Sequence, residues 1–171
     1  MELEIKDMSR GFVKEDDQEE APIIPPRAAL PAGATNYVTP NGLQELKEEE
    51  EDLIAERAHL EIENETERRR TQTVIDGKLK LLRERINTAR LLDPKDQPKE
   101  EVRFGALVSL KQNGNKQKFQ IVGVDEADVK KQKIAFVAPI AIAVTGKKVG
   151  ETSNFKLGNE TRKIEILEIT Y

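Results

Sequence analysis

The stretch LQELKEEEEDLIAERAHLEIENETERRRTQTVIDGKLKLLRERINTA, residues 43–89, decides the fold. Its first half places Leu43, Leu46, Leu53 and Leu60 on one heptad seam. Its second half places Ile75, Leu79, Leu82, Ile86 and Ala89 at steps of four, three, four and three. That alternation averages the roughly 3.5-residue period of packed helices, so the two halves fold back on each other as an antiparallel α-helical coiled-coil hairpin. Between the arms lies Leu60-Glu61-Ile62-Glu63-Asn64-Glu65-Thr66-Glu67, which puts four carboxylates near the end of a narrow rod. Glutamates spaced by two cannot share a helix face, but in a turn they can converge. Converging carboxylates hold a hard cation such as Mg²⁺ well only where a partner adds oxygens. The plain alternative is a solvated helix end, with acids favoured by the dipole of the second arm.

Working outward, the first arm has a marked start. Thr39 suits a helix cap, and Pro40 suits the first helical position, where a missing N–H costs nothing. Gly42 is an unfavourable early helix residue for which the sequence offers no reason. The first arm runs through Glu48-Glu49-Glu50-Glu51-Asp52, whereas the second carries Arg68-Arg69-Arg70, Lys78, Lys80, Arg83, Arg85 and Arg90. An acidic arm beside a basic one favours antiparallel pairing, through exposed ion pairs worth about 0.3–0.5 kcal/mol each. Gly77 in the second arm costs up to about 1 kcal/mol against alanine. Pro94 and Pro98, among Asp93, Lys95 and Asp96, end the hairpin. Residues 37–92 are therefore assigned to the hairpin and 93–100 to a linker.

Residues 1–36 read as a disordered tail. They hold the charge run Glu15-Asp16-Asp17-Gln18-Glu19-Glu20, then Pro22, Pro25, Pro26 and Pro31, with few large apolar residues to offset the entropy of ordering. A docking peptide is the functional alternative. Met8 is a second candidate start.

From residue 101 the period changes to two, with turns. Val102–Leu110 reads as a strand, Asn113-Gly114 as a hairpin turn, Lys118–Val124 as its partner and Ile134–Val137 as a third strand. Pro139–Val144 is a short apolar helix or buried turn, stopped at Gly146. Thr152–Leu157 and Arg162–Ile169 are two more strands, turned at Gly158-Asn159. Residues 101–171 thus form a small antiparallel β domain, marginal in stability alone. The fold class is α+β.

Composition excludes much. Charged residues make up 35% and aromatics 4%, which suits long solvated helices and one modest core. The net charge of −4 speaks against a general nucleic-acid binder with a basic face. The chain has no cysteine, hence no disulfide or thiolate metal site. No apolar run approaches the roughly 20 residues of a membrane span, and the amino terminus has no apolar signal region. A cytoplasmic location is expected. The single histidine, His59, has no evident catalytic partner and reads as a solvated helix residue. No Gly-rich phosphate loop occurs. A self-contained active site is not expected.

Val38-Thr39-Pro40-Asn41-Gly42-Leu43, a hairpin, a Pro-containing linker and a small β-rich domain together resemble the Gre family (GreA/GreB) of bacterial transcription elongation factors. Phe104-Gly105-Ala106, Ile121-Val122-Gly123-Val124-Asp125-Glu126-Ala127-Asp128 and Ile134-Ala135-Phe136-Val137-Ala138-Pro139-Ile140-Ala141 look like its successive signatures. Glu165–Tyr171 is similar to its closing strand. The resemblance covers roughly residues 37–171 and leaves out the tail. It implies an FKBP-like fold for the β domain, docking at the rim of the RNA polymerase secondary channel through Val137, Ala138, Pro139 and Ile140. It also implies that the hairpin enters the channel. There the acidic tip, here Glu61, Glu63, Asn64 and Glu65, helps hold a second Mg²⁺ at the polymerase's own active centre, promoting hydrolytic cleavage of backtracked RNA. On that basis the chain is an accessory factor and not an enzyme. It has no cofactor or metal of its own, with Mg²⁺ engaged through Glu61 and Glu63 only in the complex. The DNA-binding character of the family becomes indirect contact with nucleic acid in the elongation complex. A monomer with no membrane association is expected.

The sequence departs from the family pattern in three places. The tip of cleavage factors reads Gly-Asp-Leu-x-Glu-Asn; here Leu60-Glu61-Ile62-Glu63-Asn64 is one residue shorter. Glu61 stands for the aspartate and Glu63 for the glutamate, Asn64 is retained, and the glycine is lost. Each arm is about two turns shorter, roughly 11 Å of reach. The polar residue before Ser-Pro becomes Val137, followed by Ala138-Pro139. Three rival functions follow. One is a channel-binding regulator without cleavage stimulation. Another is an FKBP-fold prolyl isomerase, which needs an aromatic pocket although Phe104, Phe119, Phe136, Phe155 and Tyr171 mostly read as core. The third is a stand-alone coiled-coil dimeriser.

Overall fold

The computed structural model describes residues 20–171. Strand β1 (Tyr37–Val38) leads through Thr39 into helix α1 (Pro40–Ala58); a loop then turns into helix α2 (Glu65–Thr88), followed by strand β2 (Arg90–Leu91). Thr39 is extended, and its hydroxyl accepts the Gly42 N–H at 3.0 Å, with Pro40 opening the helix. The nine seam residues expected to face one another do pack together, joined by Val38. Leu82 is completely buried and Ile75 nearly so. The two ends of the hairpin are stitched where β1 and β2 pair in parallel: the Arg90 N–H reaches Asn36 O at 2.8 Å and the Leu92 N–H reaches Val38 O at 2.9 Å.

Two ion pairs cross the arms. Arg83 on α2 meets Glu50 on α1 at 2.6 Å, in the expected sense. Arg57 on α1 meets Asp76 on α2 at 2.5 Å, in the opposite sense. The hydrogen bond from Arg57 holds the Asp76 carboxyl below its usual range. Both pairs lie at the surface, where such contacts stabilise little. Apolar burial along the seam holds the arms together.

The carboxy-terminal domain contains β3 (Leu107–Gln112), β4 (Asn115–Val122), β5 (Lys133–Ala135), α3 (Pro139–Val144), β6 (Thr152–Leu157) and β7 (Glu160–Thr170). They form one sheet in the order β5-β4-β3-β7-β6. One face, with Val108, Leu110, Phe119, Ile121, Ile164 and Ile166, is buried against Ala141 and Val144 of α3. Asn113 and Gly114 both take positive φ, 50° and 81°, the geometry of a tight hairpin turn. Two expectations need correction. The sheet is not wholly antiparallel, because β5 lies parallel to β4. Residues 123–132 carry the chain back between those strands, through a 3-10 turn at Val129–Lys131. Nor does the first strand begin at Val102. Gly105, at φ 87°, turns the chain beside Pro94 of the linker, and the strand starts only at Leu107.

The tail expected over residues 1–36 is corrected for residues 20–36. They lie along the hairpin, and Arg27 forms ion pairs with Glu49 and Asp125. Ion pairs supply what apolar burial does not, and the prolines lower the entropy lost on ordering. The rest of that assignment, with Glu15–Glu19 and the alternative start at Met8, lies outside the described residues.

The crossover between β4 and β5 explains Gly42. Glu126, buried in that crossover, points its carboxylate at the start of α1. It accepts the Thr39 N–H at 3.0 Å, the Gly123 N–H at 3.1 Å and the Thr39 hydroxyl. A Cβ on residue 42 would lie 2.0 Å from Glu126 Cδ, so only glycine admits the carboxylate. Gly42→Ala is therefore expected to destabilise the protein by about 1–3 kcal/mol, as overpacking does. Urea denaturation checks this, and Gly42→Ala combined with Glu126→Ala should recover part of the loss.

Candidate functional site

The free end of the rod is built by two helix caps. His59 closes α1: its backbone N–H reaches Ala55 O at 3.1 Å, and its Nδ1 lies 2.8 Å from the same oxygen. The ring is thus spent on a helix end. Residues 60–64 leave helical geometry; Leu60 turns under the seam and Ile62 is half-buried. Asn64 then caps α2, its side-chain oxygen accepting the Glu67 N–H at 3.0 Å. Glu65 and Glu67 fall in the first turn of α2, where the helix dipole favours them.

The four tip residues singled out in the sequence therefore separate. Glu61 and Glu63 sit in the exposed loop, Glu65 on the helix, and Asn64 between them as a cap. Among the described residues, no three His, Asp or Glu side chains gather so as to hold a metal ion. The tip presents solvated carboxylate oxygens on a rigid stalk, able to complete a coordination shell that another molecule begins. Arg68, Arg69 and Arg70 follow within two turns, all exposed, so the negative end has a positive collar.

At the other end, Val137-Ala138-Pro139-Ile140 forms the entry to α3. Ala138 occupies the cap position without a side-chain bond, and Pro139 begins the helix exposed. Ala138 and Ile140 lean on the sheet core, and Val137 is half-buried. Ile142, three residues after Pro139 and on the same outer face, is 63% exposed. It is the large apolar side chain that α3 offers to solvent, and helix spacing could have identified it. Beside it opens a cleft of about 410 Å³ lined by Tyr37, Leu92, Arg103, Phe104, Phe136 and Ile142. The rings of Tyr37, Phe104 and Phe136 pack on one another with centroids 5.6–5.8 Å apart, joining the hairpin base to the sheet domain. Phe119 and Phe155 belong to the sheet core. Tyr171 clips the carboxy terminus down: its hydroxyl donates to Glu101 O at 2.7 Å and accepts the Arg103 N–H at 2.8 Å. Burial raises its pKa.

Sequence reasoning gave no role to Glu126, Asp125 or Arg27, and it placed Arg85 only in the basic arm, whereas Arg85 meets Asp125 of the sheet domain; these four set how the rod meets the domain. An unexplained glycine in the first turn of α1 was the available signal for Glu126. For Arg27 there was none.

Residues 97–171 match the family model described as "Transcription elongation factor, GreA/GreB, C-term". Transcription elongation factor GreA of Thermodesulfovibrio yellowstonii is 34% identical over 151 residues, covering 78% of this chain and 96% of that protein. Transcription elongation factor GreA of Acidiphilium cryptum is 33% identical over 139 residues, covering 75% and 88%. Among solved structures, Thermus aquaticus Gfh1 matches 81% of this chain and 100% of its own at 18% identity, with a TM-score of 0.39. The GreA/GreB factor from Nitrosomonas europaea matches 79% and 98% at 20% identity, also with a TM-score of 0.39.

Asn64→Ala is expected to cost about 1 kcal/mol through the lost cap, and to fray the first turn of α2. Amide exchange at Glu67 should rise, while exchange in the sheet domain stays unchanged.

Proposed function

The chain belongs to the GreA/GreB family of transcription elongation factors, and from that premise we propose that it acts on bacterial RNA polymerase from the secondary channel. The sheet domain, FKBP-like in fold, docks at the channel rim. The hairpin, an antiparallel coiled coil, enters the channel. The protein works as a cytoplasmic monomer, is not itself an enzyme, and meets nucleic acid only through the elongation complex. No helix among the described residues is long and apolar enough to cross a membrane.

The observation that carries this proposal is the pairing of two ends. A stalk bears unspent carboxylates at its tip, and an apolar ledge of Pro139 and Ile142 lies near its base. The ledge suits a protein partner: Ile142 is exposed beside an aromatic-lined cleft, and α3 is held firmly on the sheet core. Within the complex, Glu61 and Glu63 would be the tip residues nearest the polymerase's catalytic Mg²⁺, which would supply the activation of water for hydrolysis of backtracked RNA.

Rod length favours a second form of the same function, a channel-occupying regulator that stimulates cleavage weakly or not at all. Helix α1 has 19 residues and α2 has 24, about 28 and 36 Å. The 151-residue alignment with the Thermodesulfovibrio factor uses only 78% of this 171-residue chain, so this chain is the shorter one within the match. Arms two turns short leave Glu61 and Glu63 about 10 Å from the metal.

The experiment is RNA shortening in a backtracked complex, with and without the protein. The expected result is little added cleavage, together with competition against a true cleavage factor. Glu61→Ala/Glu63→Ala should alter elongation modestly. Robust cleavage that disappears in the double variant would overturn the length argument and restore full cleavage activity. Ile142→Asp should weaken capture of core polymerase about tenfold or more, as loss of a central apolar anchor does, with circular dichroism native. Unchanged capture would remove the ledge from the docking surface.

A further inference from the structure

Residues 20–36 run along a face of α2 that the seam leaves unused. Gly77, Leu81, Arg85 and Thr88 mark that face at steps of four, four and three. Ile24 fills a notch at Gly77, where a Cβ would lie 2.2 Å from Ile24 Cδ1. Arg85 Nη2 donates to Ala28 O at 2.6 Å, and Asn36 Nδ2 donates to Arg85 O at 2.8 Å. The segment also reaches beyond α2. The two Nη atoms of Arg27 donate to both oxygens of Glu49 on α1, at 2.8 and 2.9 Å. Arg27 Nε donates to Asp125 of the sheet domain at 2.9 Å. Arg85 Nε lies 3.1 Å from the other Asp125 oxygen. The Asp125 side chain is 4% exposed, so two guanidinium groups flank a carboxylate withdrawn from water: Arg27 donates a hydrogen bond to Oδ1, and Arg85 meets Oδ2 as an ion pair without one.

We infer that residues 20–36 are an intramolecular brace that fixes the angle between the rod and the sheet domain. The close contacts at the rod base, Glu126 on Thr39 and Tyr37 among the phenylalanines, cluster at one point and form a pivot. Beyond them the rod meets the sheet domain directly through a long ion pair of Glu45 with Lys133, at 4.0 Å, and through Arg85 on Asp125, whose guanidinium the Ala28 carbonyl orients. Glu49 lies nine residues up α1 from Pro40, about 14 Å away. A second attachment at that distance stops rotation about the first. Arg27 provides it by linking Glu49 and Asp125, and the Ala28 carbonyl aims Arg85 at the same carboxylate. Lysine would replace it only in part, because the planar guanidinium presents its donors to both carboxylates in a fixed geometry that an ammonium lacks. The brace is a property of the free protein and stands apart from the polymerase proposal.

The chain has no cysteine, so paired spin labels can be placed cleanly. Labels at Glu63→Cys and Lys156→Cys report the distance from rod tip to sheet domain by pulsed electron resonance. The full chain should give a narrow distribution. Arg27→Ala should broaden and shift it at unchanged helical content, Arg27→Lys should lie between, and deletion of residues 1–30 should match Arg27→Ala. A distribution untouched by both Arg27→Ala and the deletion would overturn the brace. So would broadening accompanied by lost helical signal, because Arg27 would then hold the helices and not the angle.

Discussion

The carboxylate of Glu126 on the first turn of α1 is the contact around which the molecule is arranged. It takes the Thr39 N–H, one of the donors a helix start leaves without a partner, and places negative charge where the helix dipole favours it. Because the acid comes from the sheet domain and the donor from the rod, one local capping interaction becomes a junction between two bodies. Its demands spread outward. Gly42 must lack a side chain, Thr39 must be extended, and residues 123–132 must loop out far enough to deliver the acid. The same loop connects β4 to β5, which lie parallel, so one crossover both completes the sheet and delivers the acid to the joint.

Order is unevenly distributed along the rod. Near the base, α2 is covered on two faces, by the seam and by residues 20–36, and its last turn is closed by Asn36 and β2. Toward the free end the seam thins to Leu60, and the tip relies on His59 and Asn64 as caps. The root is thus held by buried apolar and polar contacts, and the tip mainly by two helix caps. The charges follow the same division. Pairing at the root is half-buried and multivalent, whereas at the tip the carboxylates stay in water.

The hairpin was legible because its seam is periodic and local. Each of the nine apolar positions read from spacing lies in one core. The sheet order was partly legible: Asn113-Gly114 announced its turn, but the parallel return of β5 depends on a loop whose purpose lies in another domain. The tip residues could be named but not arranged, since whether Glu61, Glu63 and Glu65 converge is decided by where the Asn64 cap starts α2. Arg27 was illegible. Its partners Glu49 and Asp125 are 22 and 98 residues away, and a polar, proline-rich surrounding gives no period to read.

The parallel pairing of β1 with β2 has a consequence for descent. It brings the two ends of the rod to a single point, so everything beyond that point is a closed excursion of the chain. Residues can be added to or removed from both arms together without disturbing the joint, provided the seam keeps phase. Phase is kept only in whole heptads, each about 10 Å of helix. Reach can therefore change over generations only in steps, and a lineage that loses one step shortens its rod at once, with the joint to the sheet domain untouched.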